Sequence, residues 1–588
     1  MKWLQKRHKY NYDEESSPIE KISKARGVEN PSLFLNPTKD VLHSPYKLLN
    51  VEKAVERIIR AIDNNERIVV AYDCDGDGIT SATLLRRYLG KFSDKVDFIY
   101  GERSHGHGIT EMLKVRKLVP NDSAYKTLSI DEIYESNLKF NNRDRFNLAV
   151  ENSRKIQDAD LLIIVDSSSN DSETCRIIQE KMNTDIIILD HHILEKENKN
   201  CIMVNPNNPM CEYPNKFLCG VSVVYKTLQV MEDKLGNQNN LDDYLDLVAV
   251  GTVSDMMNMN ELENRYLVYK GMDNIKNTGL IRICKGAKVD TFKGLKTDSI
   301  GFSISPIINA VARMDNIKLA IDILMEDDDA KCKPLRLKMH KLNEERKKIQ
   351  KEVTEKYELM LTEDDLDKKF IIIFDDESSK GFNGLVAQNL AVKYNRPVMI
   401  GRLHNGKING SFRSVNGIKF KSIISQFSDD IFAIGHEASG GFGIDEEDLE
   451  EFKEFLQEVL PEQDEIEEVK YYDFKIHASE IDEWVNPVME FNRVSGQGFP
   501  KIILRIEGLT IEESAVIGKT AETVKMKTFE KVELIKFRVP DAEEFAKEFT
   551  FYDEVEVIGE LGLNEFYNFK LREKVITTQV LLADVVLS

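Results

Sequence analysis

Three short apolar runs dominate the first third of the chain: RIVVAYD, ending at Asp73; ADLLIIVD, ending at Asp166; and TDIIILDHH, which contains Asp190. Each is rich in branched aliphatic residues and bounded by polar ones, which predicts strands buried on both faces. Helical patterns such as SATLLRRYLGKF and SETCRIIQEKM separate them, so the order reads as βαβ units around a parallel sheet. Every run ends in an acid. In such a sheet the strand C-termini share one edge, where α/β proteins bind ligands, so Asp73, Asp166 and Asp190 converge. A further helical stretch, LDDYLDLVAVGTVSDMM, delivers Asp255 after a turn of small residues.

The segment YDCDGDGIT adds Asp75 and Asp77 on alternate positions. An EF-hand loop wants acids at this spacing, but it also wants Glu at position twelve, where this chain has Leu84, and a helix before the loop rather than a strand. A metal site at the sheet edge fits better. The collected set is Asp73, Asp75, Asp77, Asp166, Asp190, His191, His192 and Asp255. Gathered carboxylates repel unless cations neutralise them. Mixed carboxylate and imidazole ligation suits Mn²⁺ more readily than Mg²⁺. Two ions about 3.5–4 Å apart form a clamp for phosphoester hydrolysis. Taken singly, Asp166 reads as a helix cap and the His pair as solvated; their equivalent topological positions favour the joint reading.

The formal charge of -21 counts against a nonspecific DNA coat protein, though not against an enzyme with a locally basic groove. Seven cysteines without a CxxC pair suit a reducing compartment. The opening MKWLQKRHKYNYDEE lacks a signal-peptide core and no stretch reaches membrane-spanning length, so a soluble, cytoplasmic protein is expected. A charged helical stretch over roughly 317–360 links two lobes, with a break expected near Pro334. A second α/β segment follows in KKFIIIFDD, NGLVAQNLAVKY and RPVMIGRL. After an acidic run, PKIILRIEGLTI, KVELIKFRV, DEVEVIGELGLNEF and TTQVLLADVVL predict a small β-barrel. A polar insertion over roughly 121–154 has no assigned role.

LDHHI together with DCDGDGITS resembles the DHH phosphoesterase superfamily. Further blocks resemble RecJ-type single-stranded-DNA exonucleases in order: FLNPTKDVLHSPYKL, NPNNPMCEYPNKFLCGVSVVYK, GFSISPIINAVARMD, LNEERKKIQ, GFNGLVAQNLAVKYNRPVMI, GSFRS and GHEASGG. The resemblance covers nearly the whole chain. It implies an α/β fold with a parallel-sheet DHH domain (51–315) behind an N-terminal extension packed on it (1–50). A long helix (316–362) then leads to a smaller α/β DHHA1 domain (363–460), followed by an OB-like nucleic-acid-binding barrel (461–588). The implied activity is metal-dependent, processive 5′-to-3′ digestion of single-stranded DNA in repair, recombination or replication, with two divalent ions, Mn²⁺ preferred or Mg²⁺. Alternatives are a phosphodiesterase on short oligonucleotides or cyclic dinucleotides, and a non-catalytic replication scaffold. Implied partners are single-stranded DNA and a helicase or single-strand binding protein, with no membrane and a monomeric state.

By motif position the implied metal ligands are Asp75, Asp77, Asp166, His191 and Asp255. His192 orients the site or meets the scissile phosphate, while Asp73 and Asp190 hold ligands by hydrogen bonds. Arg103 and Arg313 match positions that grip a 5′-terminal phosphate; their plainer reading is interlobe ion pairing. Asn309, Ser411, Arg413, Ser414 and His436 complete the nucleic-acid contacts, since Arg offers a planar fork for phosphate. In the barrel, Phe566, Tyr567 and Phe569 read either as base-stacking groups, beside Lys525, Lys527, Lys531 and Lys536, or as core. Three departures from the family pattern are Ile434 before Gly435, Ile307 in place of an Arg, and SSSND after Asp166.

Overall fold

The computed structural model describes all residues except 1, 7, 9–10, 12, 14, 102, 104–106, 114, 119–124, 129–147, 237–239, 292–293, 377–379, 405, 429–430, 463–468, 519 and 569–571. The chain divides into two compact units. One comprises Leu42–Met257 and Leu267–Ile466; the other comprises Met1–Val41, Asn258–Tyr266 and Glu467–Ser588.

The first lobe of the larger unit is built on five parallel strands: β1 (Ile68–Tyr72), β2 (Val96–Tyr100), β3 (Leu161–Val165), β4 (Asp185–Leu189) and β5 (Ile202–Val204). Their order is β2-β1-β3-β4-β5. The three apolar runs are the three central strands, and β1 and β3 are buried throughout. Alternation sends Val69, Ala71, Ile164 and Ile188 into one core, shared with Ile109, Ile156 and Cys175. The opposite face is covered by α1 (Gly76–Leu89), which packs on α2 (Gly220–Leu235) and α3 (Leu245–Ser254). Strands β1, β3 and β4 thus present their C-terminal ends, and the acids that follow them, along one edge.

Helix α4 (Ser305–Arg313) packs on the long helix α5 (Asp329–Met360). The break expected at Pro334 lies earlier, at residues 326–328, between the helix Lys318–Met325 and α5. Asp328 caps α5 through the Ala330 amide, and Pro334 is the sixth residue of the continuous helix, at the cost of one backbone hydrogen bond. Helix α5 reaches the second lobe, whose sheet contains β6 (Ile371–Phe374), β7 (Val398–His404), β8 (Lys407–Arg413), β9 (Phe432–His436) and β10 (Ser439–Asp445), in the order β9-β10-β8-β7-β6. Helix α6 (Lys380–Tyr394) covers one face through Val386, Ala387 and Leu390, where Tyr357 of α5 joins it. Phe420, Ile424, Phe452 and Leu456 cover the other.

The smaller unit is a closed β-barrel. Its strands β11 (Phe474–His477), β12 (Leu504–Ile517), β13 (Thr523–Thr528), β14 (Val532–Lys536), β15 (Glu554–Asn568) and β16 (Glu573–Leu587) run β11-β12-β13-β14-β16-β15, and a β12–β15 pairing closes it. Closure leaves the strands few free edges. The sequence reading set residues 1–50 on the DHH domain. Residues Met1–Val41 instead group with the barrel, because the strand Lys2–Gln5 pairs in parallel with Val469–Tyr472. Among the described residues no helix is long and apolar enough to cross a membrane.

Candidate active site

The turn after β1 is dictated by its small residues. Asp75 caps α1, its Oδ1 accepting from the amides of Asp77 and Gly78 at 3.1 Å each. A Cβ on Gly78 would stand 2.4 Å from the Asp73 carbonyl oxygen, so only glycine permits this approach. The result carries Asp77 inward, where its carboxylate accepts from the amides of Gly220 (2.6 Å) and Val221 (2.9 Å) at the start of α2. Asp166 follows β3 with φ 59°, a left-handed conformation disfavoured for a residue with a Cβ, and Gly220 leaves it room. Asp255 follows α3 as its C-cap.

His191 Nε2 faces three of these carboxylates: Asp166 at 3.2 Å, Asp255 at 3.4 Å and Asp77 at 3.9 Å. Burial, helped by His192, lowers its pKa to about 4, so the ring is neutral at neutral pH. Neither Nε2 nor Asp255 Oδ2 has a hydrogen-bond partner among the described residues. Burial raises the carboxyl of Asp77 to about 6, with repulsion from Asp75 adding to it, and that of Asp255 to about 8, with repulsion from Asp77 and Asp75 adding to it, and it pushes Asp166 well above the usual range. Ligand atoms of Asp77, His191 and Asp255 lie within 4.8 Å of one another, as do those of Asp73, Asp75 and Asp166. Buried carboxylates crowded together beside an unpartnered imidazole nitrogen are the donor set of hard to borderline divalent cations. The residues present therefore fit the metal pair that the sequence implied.

Asp190 is wholly buried and saturated. It accepts from the amide and hydroxyl of Ser169, the amides of His191 and His192, and His192 Nδ1 at 2.7 Å. Asp190 in turn raises His192 to about 10, against the opposing effect of burial. Asp73 is held by His107 Nδ1 at 2.6 Å; burial pushes its carboxyl up, but His107 and Arg103 outweigh that and the net shift is downward. Nothing in the sequence singled out His107, which lies 34 residues from its partner.

A second cluster is cationic. Arg103 donates to the Cys74 carbonyl at 3.0 Å, beside the Asp73–Asp77 turn. Arg313, at the end of α4, donates to the Gly381 carbonyl in the first turn of α6. Arg413 lies against the same helix, where a Cβ on Gly384 would meet its Nη2 at 2.5 Å. No carboxylate pairs with Arg313 or Arg413 among the described residues, so the interlobe ion pairs are not formed there. Burial first, then mutual repulsion with Arg103, lowers the pKa of both, Arg313 to about 9. Arg413, Ser439 and His436 stand in register across β8, β10 and β9, and so share a sheet face. His436 is exposed, Ser411 half-buried, and the Ser414 hydroxyl donates to Ile418. Asn309 Oδ1 is buried without a hydrogen-bond partner among the described residues, 3.7 Å from where a Cβ on Gly76 would stand. Ile307 is core, 3% exposed.

Residues 67–252 match the model of the DHH family, N-terminal domain. The chain is 27% identical over 569 residues to the single-stranded-DNA-specific exonuclease RecJ of Bacillus subtilis, an alignment that spans 92% of this chain and 65%, just under two thirds, of that one. It is 26% identical over 595 residues to the putative SPbeta prophage-derived single-strand DNA-specific exonuclease YorK of the same organism, covering 95% and 94%. Its fold matches the crystal structure of RecJ in complex with Mn²⁺ from Thermus thermophilus with a TM-score of 0.71 and 20% identity, over 97% of this chain and 76% of that one.

The barrel carries the lysines and aromatic residues that the sequence singles out. Lys525, Lys527 and Lys536 pair with Glu533, Glu513 and Asp584, and Lys531 occupies a turn with φ 62°. Phe566 is 40% exposed on β15, opposite Val575. Phe569, the Tyr567 side chain and much of the 121–154 insertion lie outside the described residues.

Proposed function

We propose that this protein hydrolyses phosphodiester bonds in single-stranded DNA, processively from the 5′ end, using two divalent ions, Mn²⁺ in preference to Mg²⁺. The observation that carries the reading is the unpartnered His191 Nε2 facing carboxylates from three separate elements. Asp75, Asp77, Asp166, His191 and Asp255 hold the ions. When bound, such ions neutralise phosphoryl charge and generate the nucleophile at neutral pH. Asp190 fixes both histidines: its hydrogen bonds set the backbone of His191 and the ring of His192. His192, cationic and with its Nδ1 occupied, turns its other nitrogen to the scissile phosphate. Asp73, anchored by His107, steadies the turn that carries Asp75.

Arg103, Arg313 and Arg413, with Asn309, Ser411, Ser414 and His436, grip the strand. Arg313 and Arg413, without a carboxylate partner among the described residues, keep their attraction for a 5′-terminal phosphate, and a terminal grip sets polarity. Single-stranded DNA is the substrate; a monomeric state, cytoplasmic location and docking to a helicase or single-strand binding protein belong to the same reading. The test is digestion of 5′-labelled and 3′-labelled oligonucleotides after chelation and metal addition. The expected result is Mn²⁺-dependent release of the 5′ label first. Digestion from the 3′ end, or none with either ion, refutes the reading. Asp166→Ala should reduce turnover by at least a thousandfold with the fold retained.

A further inference from the structure

Helix α5 carries one more arginine beside the cationic cluster. Its His340 lies against Gly286 of the first lobe, and its Thr354 and Glu358 meet Asn389 and Lys393 of α6 in the second. Arg346 falls between these contacts, where α5 crosses from lobe to lobe. Its Nη1 donates to Gln350 Oε1 and its Nη2 to Asn343 Oδ1, both at 3.0 Å. Both acceptors are neutral, so the fork is aimed but not neutralised. The buried Nε has no hydrogen-bond partner among the described residues. The charge of Glu344 is felt at Arg346, but no carboxylate lies within ion-pairing distance of it among the described residues; Glu344 pairs with Lys347, and Lys348 pairs with Glu352. Helix α4 packs on α5, and the charge of Arg346 is felt at Arg313. Arg103 and Arg413 repel each other as well as Arg313, which groups those three guanidiniums, with Arg346 on the flank of Arg313.

We propose that Arg346 is a further phosphate-binding residue beside this arginine cluster, oriented by Asn343 and Gln350 and holding an internal backbone phosphate rather than the 5′-terminal one. The inference rests on the exonuclease reading above. A helix-borne guanidinium held by its own helix tracks neither lobe's loops, and it suits a contact that every advancing nucleotide makes in turn.

The experiment measures binding of a fluorescent single strand by anisotropy across a salt series, with chelator present so that nothing is cut. Strands with a 5′-phosphate and with a 5′-hydroxyl are compared for the wild type, Arg346→Gln, Arg346→Lys and Arg413→Gln. Arg346→Gln should weaken both strands about equally, by roughly tenfold, and reduce the slope of log affinity against log salt by about 0.7, the value for one single-strand phosphate. Arg346→Lys, which keeps the charge and loses the fork, should restore the slope but only part of the affinity. Arg413→Gln should weaken chiefly the 5′-phosphorylated strand. Wild-type affinity and slope in Arg346→Gln, a loss confined to the 5′-phosphorylated strand, or weaker binding with an unchanged slope would each overturn the assignment while leaving the exonuclease reading intact. If the wild type neither binds nor cuts single strands, that reading falls first.

Discussion

Gly220 and Asp166 occupy one another's space. A Cβ on Gly220 would stand 2.7 Å from the Asp166 Cβ and 2.8 Å from its Oδ1, and the same residue supplies an amide to Asp77. Gly220→Ala should therefore lower Mn²⁺ affinity at least tenfold by titration calorimetry, with an unchanged circular dichroism spectrum. The carboxyls crowded there also link metal to pH. Asp77 and Asp255 titrate at about 6 and about 8 in the folded protein, against about 3.9 for an unfolded Asp. Between those values the folded state holds protons that the unfolded state has released, so stability without metal falls as pH rises from about 4 to 8. Chelation should lower Tm more at pH 8 than at pH 5, and a calorimetric series at both pH values checks it. Asp73, Asp166 and Asp190 were legible because each ends an apolar run, which fixes its place on the sheet edge. His107 and Arg346 were not: their partners are set by the fold, and no period in the sequence announces them.

Helices and strands show a similar divide. The three central strands of the first sheet declared themselves because burial on both faces leaves nothing but branched aliphatics. The edge strands β2 and β5 went unread: β2 is only part-buried and its VDFIY mixes polar with apolar, while β5 is three residues long. In α5, Pro334 was read as a break because a proline lacks the amide a helix needs. The helix instead starts only five residues earlier, at a cap supplied by Asp328, and absorbs the loss near its end. Pro334→Ala restores the missing bond and should stabilise the larger unit by about 1–3 kcal/mol. Urea unfolding with an unchanged slope would measure it. A shift in the opposite direction would mean that the ring's packing outweighs the lost hydrogen bond.

For the molecule as a whole, the barrel unit is assembled from three stretches of chain, and Arg265 joins them. It is 1% exposed, stacks 3.7 Å above the Phe34 ring, and donates to the carbonyls of Phe34 (2.6 Å), Met259 (3.3 Å) and Val494 (2.6 Å). Burial opposes its charge and lowers its pKa to about 9, but hydrogen bonds from a charged donor contribute about 1.5–3 kcal/mol each, so the bonds win. Arg265→Met should lower the unfolding temperature of the barrel unit by several degrees in calorimetry, leaving Mn²⁺ binding in the other unit unchanged. Composition could not forecast this arrangement, because it depends on which distant segments meet. The pairing of Lys2–Gln5 with Val469–Tyr472 has a temporal side too. A ribosome adding about 5–20 residues per second releases the earlier strand roughly half a minute to a minute and a half before its mate exists. Throughout that wait the nascent chain trails an unsatisfied edge, and a nonsense codon anywhere upstream of the late strand would leave it permanently widowed.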